Sequence, residues 1–135
     1  MLDVKALLTK ILLRLSNIGT IYDDATNKTI TNTSIDNNTV GASITIPAGT
    51  YFVVAQWSFN TRDTSGTTNS AVRILNDAGT AIAQTRVYSA AANWSSLQCS
   101  TTVKSTAGGS LRVCGATSRP YTTASQNWIR AIKIS

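Results

Sequence analysis

The chain has 135 residues, 42% of them hydrophobic, and a formal net charge of +6. That is enough for one domain with a proper core, and it excludes a disordered chain. Twelve Lys and Arg against six Asp, with no Glu and no His, are spread thinly rather than run together. A specific nucleic-acid surface would gather its basic residues on one element, so that role is not expected, although a diffuse positive surface still draws polyanions.

The composition points to strands. Thr, Ser and Asn number 21, 15 and 10, about a third of the chain. Thr suits a pleated surface, while Ser and Asn suit turns, so an all-β body is expected.

The opening stretch "MLDVKALLTKILLRL" is different. Asp3, Lys5, Lys10 and Arg14 interrupt its apolar run and no small-residue cleavage site follows, so it does not read as a secretory signal. A membrane span needs about twenty mostly apolar residues, and this segment is too short and too charged for one. Met1, Val4, Leu8, Ile11, Leu15 and Ile18 recur at spacings of 3, 4, 3, 4 and 3. This is a heptad seam with Leu8 and Leu15 at a, and Val4, Ile11 and Ile18 at d. Leu7 and Leu12 widen the seam, which suits three or more helices better than two. Gly19 is a natural stop. An amphipathic helix packed on its own domain is the competing reading, and one lying on a lipid surface a weaker third. Residues 1–18 are therefore read as a helical self-association segment, and residues 19–135 as the head.

After Gly19 the helical period ends. Thr20 to Tyr22 and Lys28 to Thr31 read as two short strands on either side of Asp-Asp-Ala-Thr-Asn. Ser43 to Ile46 alternates, and Pro47-Ala48-Gly49 turns the chain. "TYFVVAQWSFN" from Thr50 to Asn60 is the strongest strand, with Tyr51, Val53, Ala55, Trp57 and Phe59 on one face. Thr61 to Asn69 reads as a polar loop. Ala71 to Asn76 and Ala81 to Tyr88 make a hairpin about Asp77-Ala78-Gly79. Trp94 to Lys104 and Leu111 to Ala116 read as a second hairpin. "TSRPYTTASQN" is a long polar loop before a last strand from Trp128 to Ile134. About eight strands in such a body predict a jelly-roll β-sandwich.

Cys99 and Cys114 flank the second hairpin's turn. Leu97, Cys99, Thr101 and Val103 share a parity with Leu111 and Val113, which sends Cys114 to the other face. Two separate thiols are expected, since a disulfide would need a bulge to bring the Cβ atoms together.

Chemistry is sparse. Without His, a Ser-His-Asp or Cys-His mechanism is unavailable, and neither Cys belongs to a C-x-x-C pair. Asp23, Asp24, Asp36, Asp63 and Asp77 all read as turn residues, so no carboxylate pair for glycoside hydrolysis is evident. Asp23, Asp24 and Asn27 form the one grouping with calcium-ligand chemistry, at a spacing unlike an EF-hand. The chain is read as a non-enzyme without a cofactor or metal.

"ITIPAGTYFVVAQWSF", an apolar run, a turn and a long aromatic strand, resembles the trimeric jelly-roll heads of the complement and tumour-necrosis-factor type. "NWIRAIKIS" looks like the closing strand of such heads. "DVKALLTKILLRL" before a Thr/Ser/Asn-rich body is similar to C-terminal modules of bacteriophage tail or head fibre proteins. The resemblance implies a homotrimeric virion component that meets other virion proteins and a bacterial surface polysaccharide. It would be made in the bacterial cytoplasm and exposed on the outside of the particle. A structural fibre or capsid-decoration module without a ligand, and a bacterial lectin or adhesion domain, are the alternatives.

A glycan-binding surface would use aromatics, Arg and amides on loops. Arg62 and Asp63 in the first polar loop, Arg119, Tyr121 and Gln126 in the second, and Tyr88, Asn93 and Trp94 around Ala90-Ala91-Ala92 are the candidates. Trp57 and Trp128, on strands, are expected to pack in the core or between copies.

Overall fold

A computed structural model describes residues 3–31, 34–60, 67–90, 94–118 and 125–135, without the side chains at 14, 16, 60, 67, 89, 90, 94 and 95. One helix, α1 (Val4–Asn17), precedes eight strands: β1 (Ile21–Lys28), β2 (Thr39–Ile46), β3 (Gly49–Asn60), β4 (Thr67–Leu75), β5 (Ala81–Ala90), β6 (Trp94–Ser105), β7 (Gly109–Thr117) and β8 (Ser125–Lys133). The strands form two antiparallel four-stranded sheets, β1-β8-β3-β6 and β2-β7-β4-β5, packed as the expected jelly-roll sandwich.

The helix begins where Asp3 accepts a hydrogen bond from the Ala6 amide at 3.1 Å, closing one of the orphan donors of the first turn. It ends at Gly19, whose φ of +85° a residue with a Cβ would resist. The Gly19 amide then donates to Lys133 O at 2.7 Å, and Lys133 N donates to Thr20 O, which pins the helix exit to β8. The helix body stands largely open to solvent. Its large apolar side chains, Val4 through Leu15, stay 43–64% exposed.

The alternation read in β3 holds: Tyr51, Val53, Ala55, Trp57 and Phe59 are all fully buried. Opposite them lie Val72, Ile74, Leu111 and Val113 from the second sheet, with Ala42, Ile44 and Ile46 of β2. Trp57 fits because glycines face it. A Cβ on Gly115 would lie 2.6 Å from Trp57 Cδ2, and one on Gly41 2.6 Å from Trp57 Cζ3. Both glycines stand where the partner sheet's largest side chain comes closest. Beside Trp57, β2 carries a bulge between Val40 and Ser43. The buried Asn127 Oδ1 accepts the Ala42 amide there at 2.7 Å, joining the two sheets across their interior.

Four local readings change. Ile21 to Lys28 is one continuous strand paired along its whole length with β8, so Asp23 and Asp24 are strand residues, not turn residues. The two polar loops are shorter than expected, because β4 already starts at Thr67 and β8 at Ser125. The third change concerns β6 and β7, which are no hairpin: β6 pairs with β3 and β7 with β2 and β4, so the 105–109 turn carries the chain from one sheet to the other. The fourth is a strap: the polar run before β2 crosses the outer face of the second sheet, held by Arg73. That guanidinium, only 6% exposed, donates to Gln84 Oε1, Asn38 Oδ1 and Ile35 O.

The Cys99 and Cys114 thiols are free and buried, as expected. Cys99 faces the core of the first sheet. Cys114 faces away from the core in the second, with Arg73 as its neighbour across the β4–β7 ladder. Burial pushes each thiol up to about 11.

Two consequences can be measured. Gly115→Ala drives a methyl into the Trp57 ring and should lower stability by about 1–3 kcal/mol in denaturant unfolding, without a change of fold. Neither thiol should react with a disulfide reagent at neutral pH until the chain is unfolded. Because the folded thiols titrate above their unfolded value, their contribution to stability is complete below about pH 9. It is lost as the pH rises through about 11, which unfolding midpoints across that range would register.

Candidate functional site

Antiparallel pairing sorts the connections to two ends. Lys28 lies opposite Ser125, Asn60 opposite Trp94, Thr67 opposite Ala90 and Thr39 opposite Gly115. The flanks of all the candidate binding loops therefore converge on one end, the tip. The helix exit, the Pro47–Gly49 corner, the Asp77 turn and the last residues form the other end, the base. At the base, Asp77 Oδ1 accepts from the Ser110 amide and hydroxyl. These bonds hold its carboxyl below the usual range.

Of the sequence candidates, Arg62, Asp63, Asn93, Arg119 and Tyr121 lie outside the described residues, as does the Trp94 side chain. Tyr88 is near the tip on the outer face of β5 and is 69% exposed, which suits a ring offered to a ligand. Gln126 is a correction: it sits in β8, exposed on the outer face of the first sheet, not in a loop.

The interior near the tip is polar. Thr68, Ser70, Thr117, Ser125 and Asn127 are buried there, where the same strands nearer the base bury Val72, Ile74, Val113, Ile129 and Ala131. Among the described residues there, Trp57 Nε1 and Ser125 Oγ are buried without a hydrogen-bond partner. The strand pattern alone marks these positions as inward-facing. Nothing in a single sequence says that hydroxyls and amides take them over at one end.

Sequence reasoning also missed a second surface. The outer face of the β1-β8-β3-β6 sheet is built of cross-strand rows. One row runs Ile21, Ile132, Phe52, Thr102; the next Asp23, Arg130, Val54, Ser100; the third Ala25, Trp128, Gln56, Gln98. It grades from apolar at the base to amide-rich toward the tip. The Arg130 guanidinium lies 3.2 Å from Asp23 Oδ2, with both side chains more than half exposed. Gln98 donates to Gln56 Oε1 at 2.7 Å and Ser58 shares a hydrogen bond with Ser96. Trp128, expected to be packed away, is only half-buried and looks onto a shallow groove of about 370 Å³ shared with Asp23, Asp24, Ala25 and Arg130. The one sequence signal for it was the parity of β8, which puts Trp128 opposite to the buried Ile129.

Asp24, one residue along β1, points the other way and accepts the Ser43 amide at 3.0 Å, tying β1 to the bulged part of β2. Asp23 and Asp24 thus work on different faces. Among the described residues, no three Cys or Asp side chains come together as a metal-binding group.

No protein-family model matches this sequence, and no curated protein matches it. Solved structures resemble it loosely. One is from infectious bursal disease virus Gx strain (TM-score 0.49, 13% identity), matched over 84% of this chain and 32% of that one. A second is the Eiger TNF from S. frugiperda (TM-score 0.47, 12% identity), matched over 87% and 94%. The third is the Clostridium thermocellum xylanase 10B CBM22-1-GH10 fragment complexed with xylohexaose (TM-score 0.41, 10% identity), matched over 88% and 27%. This chain thus spans under a third of the viral and xylanase chains. The jelly-roll assignment rests on this chain's own two sheets.

Proposed function

We propose that this protein is a non-enzymatic attachment module of a phage or prophage particle: a homotrimer joined through α1, with its tip turned toward a bacterial surface polysaccharide. The observation that carries the reading is the state of the helix. Fourteen residues of helix are marginal alone in water, and the apolar side chains of α1 are left open to it instead of packing on the head. Val4, Leu8, Ile11, Leu15 and Ile18 form the seam that sister helices would cover.

The head supports the second half of the reading. The exit of its assembly segment and the strand ends that flank its polar loops are at opposite ends, so joining copies at the base leaves every tip free. Three tips engaged at once raise the apparent affinity for a repeating polymer by far more than one contact supplies. Arg62 and Arg119 are the groups for charged units of a teichoic-acid-like chain, drawn by a net charge of +6.

Light scattering of the full chain should give the mass of a trimer, and a chain starting at Gly19 the mass of one protomer. A monomeric full chain would overturn the reading. With assembly intact, Arg62→Ala together with Arg119→Ala should weaken binding to purified poly(glycerol phosphate) at least tenfold in a pull-down series.

A further inference from the structure

We propose that the groove over β1 and β8 is a second glycan site, one that holds a neutral pyranose unit against Trp128. The inference rests on the attachment reading above and adds to it the site and class of a second sugar contact.

Four observations lead there. Trp128 is half-buried on the outer sheet face, and a pyranose ring offers the flat row of C–H groups that the uncovered part of an aromatic face takes up. Ala25 stands across from Trp128 on β1, so that side of the ring has only a methyl for a neighbour and the groove stays open. Polar groups with fixed geometry border it. The Arg130–Asp23 pair offers donors and acceptors side by side, as vicinal hydroxyls require, and the Gln56–Gln98 amide pair continues the row beyond the indole. Finally, the volume of about 370 Å³ is that of a small ligand site, and the groove is shallow rather than enclosed, so one unit of a chain can be taken up from solvent.

Charge selects the sugar. The protein as a whole is strongly positive, but in the groove Asp23 pairs with Arg130 and leaves no surplus positive charge to hold a phosphate or uronate. Arg62 and Arg119 on one hand and this groove on the other would read different units of one heteropolymer, the arginines its charged groups and the groove its uncharged rings.

The test is isothermal titration of the full-length protein with N-acetylglucosamine and glucose hexasaccharides, and separately with poly(glycerol phosphate). A neutral hexasaccharide should bind, Trp128→Ala should weaken it at least tenfold, and Trp128→Phe should keep it within about threefold. Arg62→Ala with Arg119→Ala should leave it unchanged. Arg130→Gln, which alters no packing, should weaken it as well and carries the test if Trp128→Ala lowers the unfolding midpoint. Undiminished hexasaccharide binding by Trp128→Ala and Arg130→Gln would overturn the site. So would a change in assembly mass on Trp128→Ala, which would make this face a contact between copies. Wild-type protein that binds poly(glycerol phosphate) but neither hexasaccharide ends this inference alone; protein that binds none of the three ends the attachment reading with it.

Discussion

Between the two sheets the Trp57 indole takes up volume that a side chain at Gly41 or Gly115 would need. The contact sets how closely the sheets approach near the tip, and other features are arranged around it. The bulge in β2 lies beside the ring, the amide it frees from the ladder is taken by Asn127, and Ile30 closes over the same spot on the way out of β1. A single large residue thus fixes a spacing, and the polar groups it displaces are satisfied from the opposite sheet.

Much of this was legible in the residues. The alternation in "TYFVVAQWSFN" placed five core side chains correctly because a strand with one buried face must repeat every second residue. The heptad spacing and Gly19 bounded the helix to within a residue or so of its observed end. What the sequence hid was pairing. Leu97–Val103 and Leu111–Val113 look like the arms of a hairpin, since a glycine turn joins them, yet each arm finds its partner in a distant strand. Local pattern specifies which face of a strand is buried, while the choice of sheet is made by contacts far apart in the chain. Asp23 and Asp24 misled for a related reason. Carboxylates favour turns, but an edge strand with one exposed face accepts them when an Arg and a free amide stand opposite.

The same physics organises the candidate sites. A sandwich made of antiparallel strands has two ends and two outer faces, and this chain uses them unequally. The base carries apolar surface, on α1 and on the Ile21–Phe52 row. The tip and the upper part of one sheet carry hydroxyls, amides and one open indole. Hydroxyl-rich strands also explain how so polar a composition still closes a core: among the described residues, the buried Ser and Thr (Thr68, Ser70, Thr117 and Ser125) lie near the tip.

Arg73 and the two sulfurs show where the fold draws its cohesion. A guanidinium fastens the strap through three neutral oxygens, and neither thiol is bonded to the other. Nothing in this architecture needs oxidation to form. The same polypeptide can fold in reducing or oxidising surroundings without making or exchanging a covalent link between its sulfurs.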